Sequence, residues 1–134
     1  MAALTTSANG LPAWFARALD SLSEGDVDGW VQVYAPDAVH EFPFAAEGEV
    51  RRLEGREAIA AYLARLPEHI RFGYFSDIRV REAGDELIVE AQGHHHRLPE
   101  DVPFDLDYVW FVTVRDGRVA HLRDYMGPPR PAAA

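Results

Sequence analysis

The sequence predicts an α+β domain in which three N-terminal helices pack on a strongly bent, mostly antiparallel sheet and enclose a pocket. Three observations carry that expectation. Apolar residues recur at helical spacing as far as Leu66, the period changes to two from Ile70 onward, and Asp116-Gly117 supplies the positive φ of a tight hairpin between the last two extended runs. At 134 residues the chain is one domain of ordinary size with room for one pocket.

In chain order, residues 1–10 are small and polar and read as disordered. Pro12 suits a helix's first turn, and Leu11, Phe15, Ala18, Leu19 and Leu22 place a helix over about Pro12 to Ser23. Asp26 reads as the N-cap of a second helix with Val27, Trp30, Val31 and Tyr34 on one face, stopped at Pro36. Val39 to Phe44 reads as an edge strand, because Pro43 cannot donate to a ladder, and Ala45 to Glu54 as a polar loop. Ile59, Tyr62, Leu63 and Leu66 place a third helix over Arg56 to Leu66. Arg71 to Arg81, Glu86 to Leu98, Phe104 to Arg115 and Arg118 to Met126 follow as long strands. The folded domain therefore spans residues 11–128, with 129–134 a flexible tail rich in Pro and Ala.

Composition narrows the function. The formal charge is −9 with only 13 basic residues and no basic run, which disfavours nucleic acid and anionic membrane surfaces as partners. Without cysteine there is no disulfide, thiolate nucleophile or Cys-based metal site, so chemistry falls to carboxylates, His, Tyr and Arg. A charged, then apolar, leader is lacking, and the reading is cytoplasmic.

The last strand carries the sharpest chemical clue. Alternation puts Ala120, Leu122, Asp124 and Met126 on one face and Val119, His121, Arg123 and Tyr125 on the other. A lone acid among apolar neighbours is either a satisfied structural group or a pocket acid with a raised pKa. His40, Phe42 and Phe44 share a face of the first strand, His40 as a titratable group near the mouth or a surface histidine, the phenylalanines as apolar walls. Glu90 is a second pocket carboxylate if the Ile88 face of its strand is inward, and solvated if the Leu87 face is. Asp107 lines the pocket or is paired to arginine, with Trp110 on the opposite face of that strand. Trp30, Tyr34 and Tyr62 read as core aromatics whose polar tips can reach a ligand. The His94-His95-His96 run has two histidines on one face, but it matches no established metal motif and reads as a polar strand end, so no metal site is assigned.

Gly25 to Trp30 (GDVDGW), Tyr34 to Val39 (YAPDAV), Glu41 to Phe44 (EFPF), Leu53 to Ile59 (LEGREAI), Arg115 to Val119 (RDGRV) and Arg123 to Met126 (RDYM) resemble, in order and spacing, the SnoaL-like branch of the NTF2-like or ketosteroid-isomerase-like superfamily. The resemblance covers about Leu11 to Pro128 and implies a cone-shaped α+β barrel, commonly a homodimer, with a deep pocket for a small organic molecule. The ketosteroid-isomerase constellation does not carry over, since its base position is Phe42, its oxyanion-hole tyrosine falls at about Ala18, and its protonated acid at Val109 or Trp110. Arg123 to Gly127 (RDYMG) is similar to a stretch of phenazine-biosynthesis proteins of this fold, which implies an acid/base role for Asp124, while the pocket histidine of those proteins falls at Tyr62. The leading expectation is a cofactor-independent isomerase, cyclase or dehydratase acting on a small apolar cyclic or carbonyl-bearing metabolite. Asp124 serves as acid/base there, His40 or Tyr62 as second proton group, and Trp30, Tyr34, Phe42, Phe44, Glu90, Asp107, Trp110, Leu122 and Met126 contact the ligand. A noncatalytic binding or dimerisation module and a metal-dependent hydrolase are the alternatives.

Overall fold

A computed structural model describes residues 10–132, so the expected disorder of residues 1–9 lies outside the described residues. Helix α1 (Ala13–Ser23) buries Phe15, Ala18, Leu19 and Leu22, the stripe that helical spacing predicted. Asp26 caps α2 (Val27–Val31) by accepting the Gly29 N–H at 3.0 Å.

The second helix is shorter than expected, because Tyr34 already belongs to strand β1 (Tyr34–Glu41). Pro36 forbids helical backbone just before it, and the Val33 carbonyl is taken by the Val119 N–H, so sheet pairing replaces a further helical turn. The expected edge strand Val39 to Phe44 is likewise corrected. β1 starts at Tyr34 and lies inside the sheet, between β2 (Arg52–Glu54) and β7 (Arg118–Met126). Pro36 falls in the register shift between Tyr34 and Val39, where the ladder does not call on its missing N–H, and Pro43 lies beyond the strand.

Helix α3 (Arg56–Leu63) stops short of Leu66, since Pro67 turns the chain into a single 3₁₀ turn, Leu66–Glu68. The strand expected over Arg71 to Arg81 is broken at Phe72 to Tyr74 into β3 (Ile70–Arg71) and β4 (Phe75–Ala83). Next come β5 (Glu86–Arg97), β6 (Val102–Arg115) and β7, then β8 (Arg130–Pro131). β8 is a further correction: the segment expected as tail pairs with β6, and Arg130 binds the Asp107 carboxylate at 2.8 Å.

The sheet order is β2-β1-β7-β6-β5-β3, with β4 also on β5. All pairings are antiparallel except β1 with β7, which is parallel. The β6–β7 hairpin turns on Asp116 and Gly117 with φ of 55° and 73°, the doubly positive turn that Asp-Gly favours. A register shift beside Thr113 leaves Ala120 as an extra residue on β7, so Val119 joins the core although simple alternation assigned it to the outer face. The helices cover the concave face, where Phe15, Trp30, Tyr34, Ile59, Val89, Val112 and Leu122 form the core. No helix of the described residues is long and apolar enough to cross a membrane.

Candidate active site

Between the helices and the concave sheet lies a cavity of about 160 Å³, walled by Leu19, Leu22 and Trp30 on one side and by Phe42, Tyr108, Trp110, Leu122 and Asp124 on the other. It shares Phe42, Tyr62, Asp124 and Met126 with an outer chamber of about 300 Å³ edged by Phe44 and Glu49. The walls are almost wholly aliphatic and aromatic, so the few polar groups in them decide what the cavity can do.

Asp124 is the central one. Parallel pairing of β1 with β7 sets His40 opposite Leu122, and antiparallel pairing of β6 with β7 sets Trp110 opposite Asp124. As a result Trp110 Nε1–H donates to Asp124 Oδ1 at 3.0 Å, and His40 Nε2 lies 3.1 Å from Oδ2. The Asp124 side chain keeps 12% of its surface exposed. The acid is therefore neither solitary nor held by arginine or backbone donors: an indole and an imidazole hold it in place.

The chain of bonds continues behind His40, whose Nδ1 is 2.8 Å from the Tyr34 hydroxyl. Tyr34 is fully buried, and burial first, then the Asp124 charge, push its ionisation far upward, so it keeps its proton. The Trp30 indole packs edge-on against the Tyr34 ring, 6.0 Å between centroids. A carboxylate can only accept, so in the neutral imidazole the proton sits on Nε2, facing Asp124, and the Tyr34 hydroxyl donates to Nδ1. Every donor in this chain points toward the carboxylate, which presents an oriented acceptor to the cavity.

Of the residues singled out in the sequence, Asp124, His40, Tyr62, Trp30, Phe42, Trp110, Leu122 and Met126 converge on the cavity. His40 is 4% exposed, a buried group rather than one at the mouth. Tyr62 is half-buried where the two chambers meet, and burial, then Glu49 and Asp124, raise its pKa, so it enters any reaction as a protonated phenol.

Four candidates are corrected. Tyr34 stands behind His40 and does not line the cavity. Phe44, 72% exposed, packs on the Tyr125 ring and borders only the outer chamber, because the chain leaves the sheet after Glu41. Glu90 is solvated, since Leu87, Val89 and Ala91 take the inward face of β5. Asp107 faces solvent and pairs with Arg130, while Leu106, Tyr108 and Trp110 point inward. Nor do the three histidines form a cluster: His94 bridges Asp105 and Ser76, and His95 points into the core. Among the described residues no three of His, Asp and Glu are arranged to hold a metal ion.

Sequence reasoning missed Tyr108 and His95. A signal existed in Gly93, a lone glycine inside a strand pattern, which marks a close approach. A Cβ there would run into His95 Nε2 and Tyr108 Cε2.

A SnoaL-like domain profile matches residues 15–122. The chain is 34% identical over 107 residues to the Bacillus subtilis protein YesE, covering 78% of this chain and 73% of that one. It is 34% identical over 116 residues to a PhzA/B-like protein of Pseudomonas aeruginosa, covering 85% and 82%. A crystal structure of a candidate isomerase from Bacillus subtilis superposes with a TM-score of 0.81 at 31% identity, over 86% of this chain and 84% of the other.

Proposed function

The chain belongs to the SnoaL-like domain family and has the NTF2-like, or ketosteroid-isomerase-like, cone, and from that premise we propose an enzyme that moves protons on a small cyclic carbonyl compound. One observation carries the reading: a carboxylate steered by two buried donors looks into an otherwise apolar cavity. An inner chamber of about 160 Å³ suits a single six-membered ring, since a cavity of roughly 150 Å³ holds benzene.

Asp124 takes a proton from the carbon beside the carbonyl. The electron pair left behind closes an enolate double bond, and the negative charge moves to the oxygen. Return of the proton to a different carbon gives isomerisation; attack of the enolate on a second carbonyl gives cyclisation; loss of a β-hydroxyl gives dehydration. Trp110 and His40 fix the orientation of the carboxylate, and the Tyr62 phenol is placed to return a proton at the chamber junction. The isomerase description of the Bacillus relative and the PhzA/B likeness of the Pseudomonas one are consistent with this class.

The test is exchange of α-protons of cyclohexanone in D₂O, followed by NMR. Wild type should accelerate exchange, and Asp124→Asn should lower that acceleration roughly 10²- to 10⁴-fold with the fold intact. Equal rates in the two proteins reject Asp124 as the base. They would favour the second reading, a binding module, which rests on both carboxylate oxygens already receiving donors.

A further inference from the structure

A second hydrogen-bond chain reaches the same cavity and plays no part in the steps above. It starts at Gly73, whose N–H donates to His95 Nδ1 at 3.1 Å. A backbone N–H can only donate, so this bond fixes the tautomer: in neutral His95 the proton is on Nε2. That nitrogen lies 3.0 Å from the Tyr108 hydroxyl, so it donates to the Tyr108 oxygen. His95 is 1% exposed, and burial with the neighbouring His94 and His96 lowers its pKa to about 4, so the imidazole is neutral at physiological pH. Because the oxygen already accepts from His95, the hydroxyl hydrogen of Tyr108 is the group left to donate, and among the described residues it meets no acceptor.

We propose that Tyr108 holds the substrate's carbonyl oxygen, donating its hydroxyl proton to the charge that develops there, with His95 as its positioning residue. This rests on the proton-transfer reading and names its missing electrophile. Tyr108 lines the inner chamber beside Trp110, the rings 5.1 Å apart, two residues along the inward face of β6. Two residues of strand span roughly 7 Å, which lets one ring present its carbonyl oxygen to Tyr108 and an adjacent C–H to the Trp110-anchored Asp124. The donor needs no reorganisation when the enolate forms, and it sits among apolar walls where a hydrogen bond to a developing charge counts most. A phenol polarised by a donor behind it is also a better donor than a phenol alone. Two glycines make the arrangement possible: a Cβ at Gly73 would collide with the His94 carbonyl, and one at Gly93 with the His95 and Tyr108 rings. The substrate class narrows accordingly to ring compounds bearing an acceptor oxygen, ketones or enones rather than hydrocarbons.

The test uses carbonyl-¹³C cyclohexanone and difference infrared spectroscopy on the intact protein. Wild type should move the bound carbonyl stretch below its position in an apolar solvent, and Tyr108→Phe should leave it there. Wild type should also prefer cyclohexanone to methylenecyclohexane by about 2- to 12-fold, the range of one neutral hydrogen bond, and Tyr108→Phe should lose the preference. Since Tyr108→Phe leaves His95 without its acceptor, a second variant carries 3-fluorotyrosine at position 108, which keeps the bond and sharpens the donor; it should lower the stretch further. His95→Gln, able to accept from Gly73 and donate to Tyr108, should keep the shift, and His95→Leu should reduce it. An identical stretch in wild type and Tyr108→Phe, no added shift with 3-fluorotyrosine, or no binding of cyclohexanone overturns the assignment. Asp124→Asn should lower exchange as above yet keep the shift, so the base and the oxygen donor fail independently.

Discussion

His40 and His95 make the same kind of bond with opposite effect. Each is a buried histidine on an inward strand face with a tyrosine hydroxyl on one ring nitrogen. At His40 the tyrosine stands behind and donates, so the proton on the far nitrogen points at Asp124 and the chain ends in an acceptor. At His95 a backbone N–H stands behind, so the tyrosine comes last and the chain ends in a donor. The group behind the imidazole decides which sign of polarity each chain delivers to the cavity. An acceptor and a donor on the wall of one ring-sized apolar space is what enolisation needs.

The sharpest way to separate the two histidines beyond the Asp124 exchange test is pH. His95 has a pKa of about 4 in the folded protein against an ordinary 6.5. A base with a depressed folded pKa is protonated in the unfolded chain first, so stability falls as pH drops from about 6.5 toward 4 and levels off below. The loss is on the order of 3 kcal/mol. Urea unfolding across that window should show the decline in wild type and a flatter acid limb in His95→Gln, and matching limbs would remove His95 as the cause. A smaller effect follows from filling the gap that lets His95 meet Tyr108. Gly93→Ala should cost about 1–3 kcal/mol by overpacking and weaken cyclohexanone binding as well. Retention of full stability would show that the close approach is not required.

The His40 chain is tested from behind. Tyr34→Phe removes the donor behind His40, leaving Asp124 and Trp110 untouched; about 1 kcal/mol of stability should go, and the pH profile of exchange should move while cyclohexanone affinity does not. An unmoved profile would mean that the Tyr34 hydroxyl does not tune His40. Smallest of all, Glu90→Gln on the solvated face of β5 should alter stability by less than about 0.5 kcal/mol and exchange not at all.

These contrasts also mark what a sequence can disclose. The change of period near Ile70, the Asp116-Gly117 hairpin and the apolar face around Asp124 are local patterns, and the architecture follows from them. The early start of β1 was not local: it depends on Tyr34 finding Val119 across the sheet, against a helix-like spacing from Val27 to Tyr34. Facing on β5 was undecidable because Ile88 and Leu87 are equally apolar, and only the packing under the helices chose Leu87. His40 and Asp124 were legible as types on the right faces, but their pairing needed the parallel β1–β7 register. His95 was hidden inside a histidine triplet whose neighbours face the other way.

That parallel strand also sets the order in which the protein becomes competent. His95 and Tyr108 are 13 residues apart and Trp110 and Asp124 are 14 apart, all within consecutive antiparallel strands. His40 and Asp124 are separated by 84. Closing the longer span costs more chain entropy, and non-local pairings form slowly, so the β5-β6-β7 meander can mature before the amino-terminal strand seats against it. A molecule caught in between has its sheet and its indole-bound carboxylate but no histidine behind it. On the proton-transfer reading, the rate of α-proton exchange is thus a stricter gauge of native assembly than any spectroscopic measure of strand content.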